Sequence, residues 1–200
     1  MQNKRYDIYI VGVGGQGVLT IAEIITSVAF EEGIPVNYYP TKGMAQRGGF
    51  VKAQLRLGAE TVGPDIAQQG ADLVISMERS EALKAIRYMK KGGEFFLYDN
   101  KWLPTAVMLG KAPYPETGDV RREIAQAGGK AKVLSSEALP EFEGKPVRDN
   151  LYVLGAILKS TSLEKYLERK AILRTIESKW PKAAEENLYA VEQGLKADMT

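Results

Sequence analysis

Gly12-Val13-Gly14-Gly15-Gln16-Gly17 is the stretch of this 200-residue sequence that leaves the fewest folds open. Before it stands an apolar, β-branched and aromatic run, Tyr6 to Val11, which reads as a buried strand. After it, Val18, Ile21, Ala22, Ile25, Val28 and Ala29 fall on one helical face, and Gly33 lies just past the end. Strand, glycine loop, helix is the setting that a G-x-G-x-x-G turn needs to work as an anion site. Glycines permit the tight turn and the close approach of another group. The helix start offers unpaired amides and the positive end of the dipole. Gly12, Gly14, Gly15, Gln16 and Gly17 are therefore candidate binding residues for a phosphate, pyrophosphate or carboxylate. The plain alternative is a tight β–α turn with no ligand.

A dinucleotide reading requires an acidic residue at the end of the second strand to hold ribose hydroxyls. That place reads Tyr38-Tyr39-Pro40-Thr41-Lys42, with no carboxylate, and Glu31 and Glu32 come too early. Lys42 leaves a 2′-phosphate, and so NADP, as the surviving form of that idea. A second polar loop follows, Thr41 to Gly49. In an open parallel sheet, loops after strand carboxyl ends gather at one edge, so this loop is expected beside Gly14–Gly17. Arg47 offers a planar donor fork, Gln46 both a donor and an acceptor, and Gly48 and Gly49 open backbone amides. These four join the candidate site; the alternative is a solvated turn.

The remaining pattern alternates strands and helices. Val36–Tyr39 reads as a strand stopped by Pro40, and Phe50–Leu57 as one with Val51, Ala53, Leu55 and Leu57 on one face. Asp72–Met77 is a short apolar strand, and Ser80–Met89 a helix ended by Gly92-Gly93. Glu94–Tyr98 is a strand, Asp119–Ala127 a helix and Lys130–Leu134 the last strand. Residues 101–117 and 136–148 read as irregular. A helix through Leu151–Leu158 is apolar nearly all round, capped by Asp149 or Asn150. Helices over Arg169–Lys179 and after Pro181 follow, the last with Ala184, Leu188, Val191 and Leu195 in one stripe. The expected fold is α/β: a Rossmann-like, mostly parallel sheet with helices on both faces, one domain over residues 1–200 with a helical extension from about 161 to 200.

Composition narrows the chemistry. There is no cysteine and no histidine. Thiolate nucleophiles, iron–sulfur clusters, thiolate zinc and histidine-based catalysis are excluded for this chain. No catalytic residue and no metal ligand set is therefore assigned. A net charge of +2 with scattered Lys and Arg gives no reason for a nucleic-acid or membrane partner. No apolar run spans a bilayer, the N-terminus does not read as a signal peptide, and the expected location is the cytoplasm.

Gly-Val-Gly-Gly-Gln-Gly-Val (12–18) taken with Gly-Met-Ala-Gln-Arg-Gly-Gly (43–49) resembles the gamma-type domain of 2-oxoacid:ferredoxin oxidoreductases. The second motif is most similar to the small subunit of the indolepyruvate type. Gly70-Ala71-Asp72-Leu73-Val74, Lys91-Gly92-Gly93, Asn150 and Leu154-Gly155-Ala156 extend the likeness over about residues 6 to 160. The resemblance implies a multi-subunit enzyme that oxidatively decarboxylates an aryl pyruvate to an acyl-CoA and reduces ferredoxin. It puts thiamine diphosphate, magnesium and iron–sulfur clusters on a large partner subunit, with CoA as co-substrate. This chain would hold no cofactor alone and would be inactive alone. It would complete the active-site wall, with Arg47 and Gln46 the best contacts for CoA or the substrate carboxylate. A free-standing nucleotide-binding module, or an NADP-dependent reductase, is the rival from another class.

Overall fold

A computed structural model describes residues 5–41, 48–58 and 63–200. Six strands form one sheet: β1 (Tyr6–Val13), β2 (Val36–Thr41), β3 (Phe50–Leu57), β4 (Ala71–Ser76), β5 (Met89–Asp99) and β6 (Lys130–Ser135). Their order is β2-β3-β1-β4-β5-β6. β1, β4, β5 and β6 run parallel, as the alternation of strand and helix requires. β3 departs from that rule. It runs antiparallel to both β1 and β2 and inserts between them. Only eight residues lie between β2, which ends at Thr41, and β3, which begins at Phe50, fewer than the dozen or so a parallel crossover needs, so the two strands pair antiparallel.

Helices α1 (Val18–Glu31), α2 (Arg79–Ala85), α3 (Thr105–Met108), α4 (Thr117–Gln126), α5 (Asp149–Ser160), α6 (Arg169–Lys179) and α7 (Ala184–Lys196) follow, and all but the short α3, which buries no residue, divide between the faces. α1, α5, α6 and α7 share one core with Ile8, Ile10, Ala53, Leu55, Leu73 and Ile75. α2 and α4 bury Ala82, Ala85, Val120 and Ile124 against Tyr9, Val11, Val74, Phe95 and Leu97 on the other. Residues after 160 thus belong to the main core rather than hanging from it: Ile172, Ile176, Ala190 and Val191 are fully buried there. α7 shows Asn187, Ala190, Val191 and Gly194 inward, so its buried stripe is rotated from the expected one, and Leu188 and Leu195 sit at the margin. It crosses α5 at Gly155 and Gly194, where the two backbones touch.

Four boundaries differ from expectation, each for a local reason. α2 stops at Ala85, Ile86–Tyr88 forms a 3-10 turn, and β5 already begins at Met89. Gly92-Gly93 therefore lies inside a strand, where Gly92 at φ 77° makes the irregularity between Ala71 and Leu73 in the β4–β5 register possible. Pro40 does not stop β2, because β2 is an edge strand and loses no ladder bond to it. Residues 136–148 contain the hairpin β7 (Glu141–Phe142) and β8 (Lys145–Pro146), turned by Glu143 and Gly144 at positive φ. The N-cap of α5 is Arg148, so Asp149 acts as a first-turn acid, its Oδ1 accepting the Asn150 amide at 2.8 Å.

Candidate functional site

β1 and β4 are the neighbours from which the chain departs in opposite directions, α1 leading back toward β2 and α2 onward to β5. The crevice beyond their carboxyl ends is the switch point at which open α/β sheets bind ligands. The glycine loop lies on one side of it. Gly12 is packed so tightly that a Cβ there would come within 2.9 Å of Gln16, Val18 and Met77. Gly15, at φ 103°, has open space in front of it, and Gly17 takes φ 75° as the N-cap of α1. Among the described residues that N-cap has no side-chain cap, which leaves the first amides of a 14-residue helix open to an incoming acceptor.

The two loops meet. The Gly14 amide donates to the Gly49 carbonyl at 2.8 Å, and the Gly48 amide approaches the Gly14 carbonyl at 3.5 Å. This pairing exists because β3 runs antiparallel beside β1, so its first residues lie against the start of the loop that follows β1. Of the candidate residues, Gly12, Gly14, Gly15, Gln16, Gly17, Gly48 and Gly49 are brought to one edge; Gln46 and Arg47, with Lys42, lie outside the described residues.

Gln16 faces inward. It is 4% exposed; its Oε1 accepts the Val13 amide at 2.8 Å and its Nε2 donates to the Met77 carbonyl at 3.0 Å. The side chain stitches the end of β1 to the end of β4 and sets the loop's shape. The groups left facing outward are the backbone at Gly15 and Gly48.

Three further residues at this edge stand outside the candidate site residues of the sequence, where Asn150 reads only as a helix cap and a mark of the resemblance. Asn150, at the start of α5, covers Gly17 so closely that a Cβ there would lie 2.3 Å from its Nδ2. It is 9% exposed, and no hydrogen bond of its side chain is seen among the described residues. Trp102 flanks Gly48, its Nε1 3.4 Å from where a Cβ would be, and stays 45% exposed. Glu78, fully buried just past β4, accepts from the Ser80 hydroxyl at 2.6 Å, the Glu81 amide at 2.8 Å, the Trp102 amide at 3.3 Å and the Tyr114 hydroxyl. Burial and that hydrogen bond raise the Tyr114 phenol above its ordinary value, so it stays protonated and donating. Arg79 adds a second anchor, reaching Asp99 at 2.6 Å and the Pro115 carbonyl at 3.4 Å, while Thr117 donates to Asp99 at 2.7 Å. Glu78 and Arg79 thereby fix both ends of the segment 101–116.

The geometry disfavours a dinucleotide. β3 stands between β1 and β2, so the end of β2 is two strand spacings, about 10 Å, from β1. It also carries no carboxylate. Among the described residues no cluster of three or more Asp or Glu is placed to hold a metal, and no helix is long and apolar enough to cross a membrane.

Known proteins agree with this architecture. The family model described as pyruvate ferredoxin/flavodoxin oxidoreductase matches residues 7–197. Indolepyruvate oxidoreductase subunit IorB of Pyrococcus horikoshii is 34% identical over 97% of this chain and 96% of its own length. The IorB subunit of Thermococcus kodakarensis is 35% identical with the same coverage. Among solved structures, pyruvate oxidoreductase subunit PORC from Thermotoga maritima superposes with a TM-score of 0.72 over 97% of both chains, at 21% identity, and shares the fold. The chain belongs to the pyruvate ferredoxin/flavodoxin oxidoreductase family, on the small-subunit branch that its full-length relatives occupy.

Proposed function

We propose that this chain is the cluster-free subunit of an indolepyruvate-type 2-oxoacid:ferredoxin oxidoreductase, and that its glycine edge closes the active site of a large partner subunit. The overall reaction takes an aryl pyruvate, CoA and two oxidised ferredoxins to an acyl-CoA, carbon dioxide, a proton and two reduced ferredoxins, each ferredoxin taking one electron. Thiamine diphosphate on the partner supplies the means of stabilising the carbanion left by decarboxylation, and the partner's clusters carry the electrons. A chain without Cys or His contributes neither.

What it contributes is an amide-rich wall. The bond between Gly14 and Gly49 carries this reading, because it joins both loops into one surface at the switch point. Free first-turn amides of α1, the open backbone at Gly15 and the Asn150 side chain suit a phosphate or carboxylate of CoA or substrate. Arg47 and Gln46 extend the same surface in sequence. The chain is expected to reside in the cytoplasm with ferredoxin as the complex's acceptor.

Co-expression with the large subunit tests the reading. It should yield ferredoxin or viologen reduction that needs both 2-oxoacid and CoA. Arg47→Ala should lower turnover or raise the KM for CoA with assembly intact. If omitting this chain leaves turnover unchanged, the reading fails. Binding of NADPH to the isolated chain at micromolar concentration would favour the nucleotide-module alternative instead.

A further inference from the structure

Over β3 the second face of the sheet is covered at Gln54 and Arg56 by the segment 63–66 rather than by a helix. α1 packs over β2 and β3 from one face, while α2 and α4 pack over β1, β4, β5 and β6 on the other. Val51, Ala53, Leu55 and Leu57 point into the α1 core, so Phe50 and Lys52 face the side the helices leave open. Between α2 and the start of β3 this leaves a groove with a cavity of about 270 Å³, lined by Tyr9, Val11, Phe50, Lys84, Arg87 and Tyr88.

The floor is apolar: Tyr9 and Val11 are buried, and Tyr9 stacks on Tyr88 with centroids 4.1 Å apart. The rim is cationic and aromatic. Lys84 Nζ stands 5.8 Å from the Phe50 ring, and the Arg87 guanidinium lies 5.3 Å from the Tyr88 ring. Phe50 is 38% exposed. Lys84 has a carboxylate partner in Glu81 at 2.8 Å, but Arg87 makes no ion pair among the described residues. A volume of 270 Å³ falls below the roughly 300–1,000 Å³ of small-molecule sites and suits one large side chain.

We propose that this groove seats an acidic segment of the large subunit. One bulky apolar side chain of that segment enters the cavity, and carboxylates beside it meet Arg87 and Lys84. The proposal rests on the subunit reading above and adds to it where the partner docks. Charge complementarity sets the chemistry, since the groove offers, over an apolar floor, a guanidinium with no ion pair among the described residues. Position supports it too. Phe50 directly follows Gly49, so a segment lying here continues onto the glycine edge without leaving the surface.

The test measures association of the purified chain with the large subunit by biolayer interferometry, in low and high salt. Arg87→Glu and Phe50→Ser should each weaken binding roughly tenfold or more, as removal of a buried anchor does. Wild-type binding should weaken with salt more than Arg87→Glu binding does. Both side chains are exposed, so unfolding temperatures should match wild type, and Lys182→Glu on the far side should bind normally. Wild-type affinity in both variants, while the wild-type chain itself binds, overturns the docking site and leaves the subunit reading standing. Failure of the wild-type chain to bind the large subunit removes both. A homodimer of the isolated chain that Phe50→Ser abolishes would show the groove to be occupied by a second copy, and would likewise overturn the proposal.

Discussion

Replacing Gly155 by alanine sets two effects of opposite sign against each other. Alanine in a helix interior is favoured over glycine by about 1 kcal/mol. The new Cβ, however, would stand 2.1 Å from the Val191 carbonyl oxygen and 3.0 Å from the Gly194 Cα. Both obstacles are backbone, so no rotamer change relieves them. To reach ordinary contact, α5 and α7 must part by about 1 Å, which loosens dispersion contacts along the whole crossing. Overpacking of this kind costs about 3 kcal/mol at its upper range. The expected net loss is therefore about 2 kcal/mol. Urea unfolding followed by circular dichroism should show a lower midpoint at an unchanged slope. Gly194→Ala, whose Cβ would lie 2.0 Å from the Tyr152 carbonyl, should behave alike, and the double variant should cost less than the sum, because helices already parted accept the second methyl. Because α5 holds Asn150 over Gly17, reduced CoA-dependent turnover of the complex should accompany the loss. A Gly155→Ala chain as stable as wild type would refute the close crossing, since propensity alone would then have decided the outcome.

Three other changes probe single groups. Asp149 has a pKa raised above 3.8, first by burial and partly offset by backbone amides, so the folded state holds its proton more tightly than the unfolded chain and stability falls as pH rises through that range. Asp149→Asn should raise the Tm at neutral pH and leave it unchanged near about pH 3, by calorimetry. Asn187 is fully buried in α7 with neither side-chain polar atom partnered among the described residues, so Asn187→Leu should stabilise by about 1–3 kcal/mol in the same urea assay. Glu78→Ala strips acceptors from the Tyr114 hydroxyl and from the Trp102 and Glu81 amides and should cost about 3 kcal/mol or more, with new protease cleavage within 101–116 as the local readout.

Much of the fold is legible in the sequence because burial writes itself as period. The Val18–Ala29 face and the nearly all-round apolar run Leu151–Leu158 of α5 are such signals, and the structure buries both. Direction is not written that way. The alternation in Phe50–Leu57 names a face but is the same read either way along the sheet, so the periodicity is silent on the antiparallel insertion of β3; only the shortness of the connection from Thr41 to Phe50 bears on it. The glycine motif marks the turn between β1 and α1, yet a glutamine in a glycine loop carries no mark of whether it points out or in. Gln16 points in because Val13 N and Met77 O leave a gap that one amide fills. Glu78 and Asn150 act through neighbours distant in sequence, Tyr114 at one and Gly17 at the other, and pairwise reach of that kind has no local signature.

A single buried carboxylate gripping the amide of Trp102 and the phenol of Tyr114 has an evolutionary consequence. The stretch strung between those two fastenings, which bears the outward Leu103, Met108 and Leu109, can be rewritten residue by residue without altering how it leaves and rejoins the body. Related subunits are thus free to change what they present there, lengthening or recolouring the span for a different companion, while the frame beneath stays as it is.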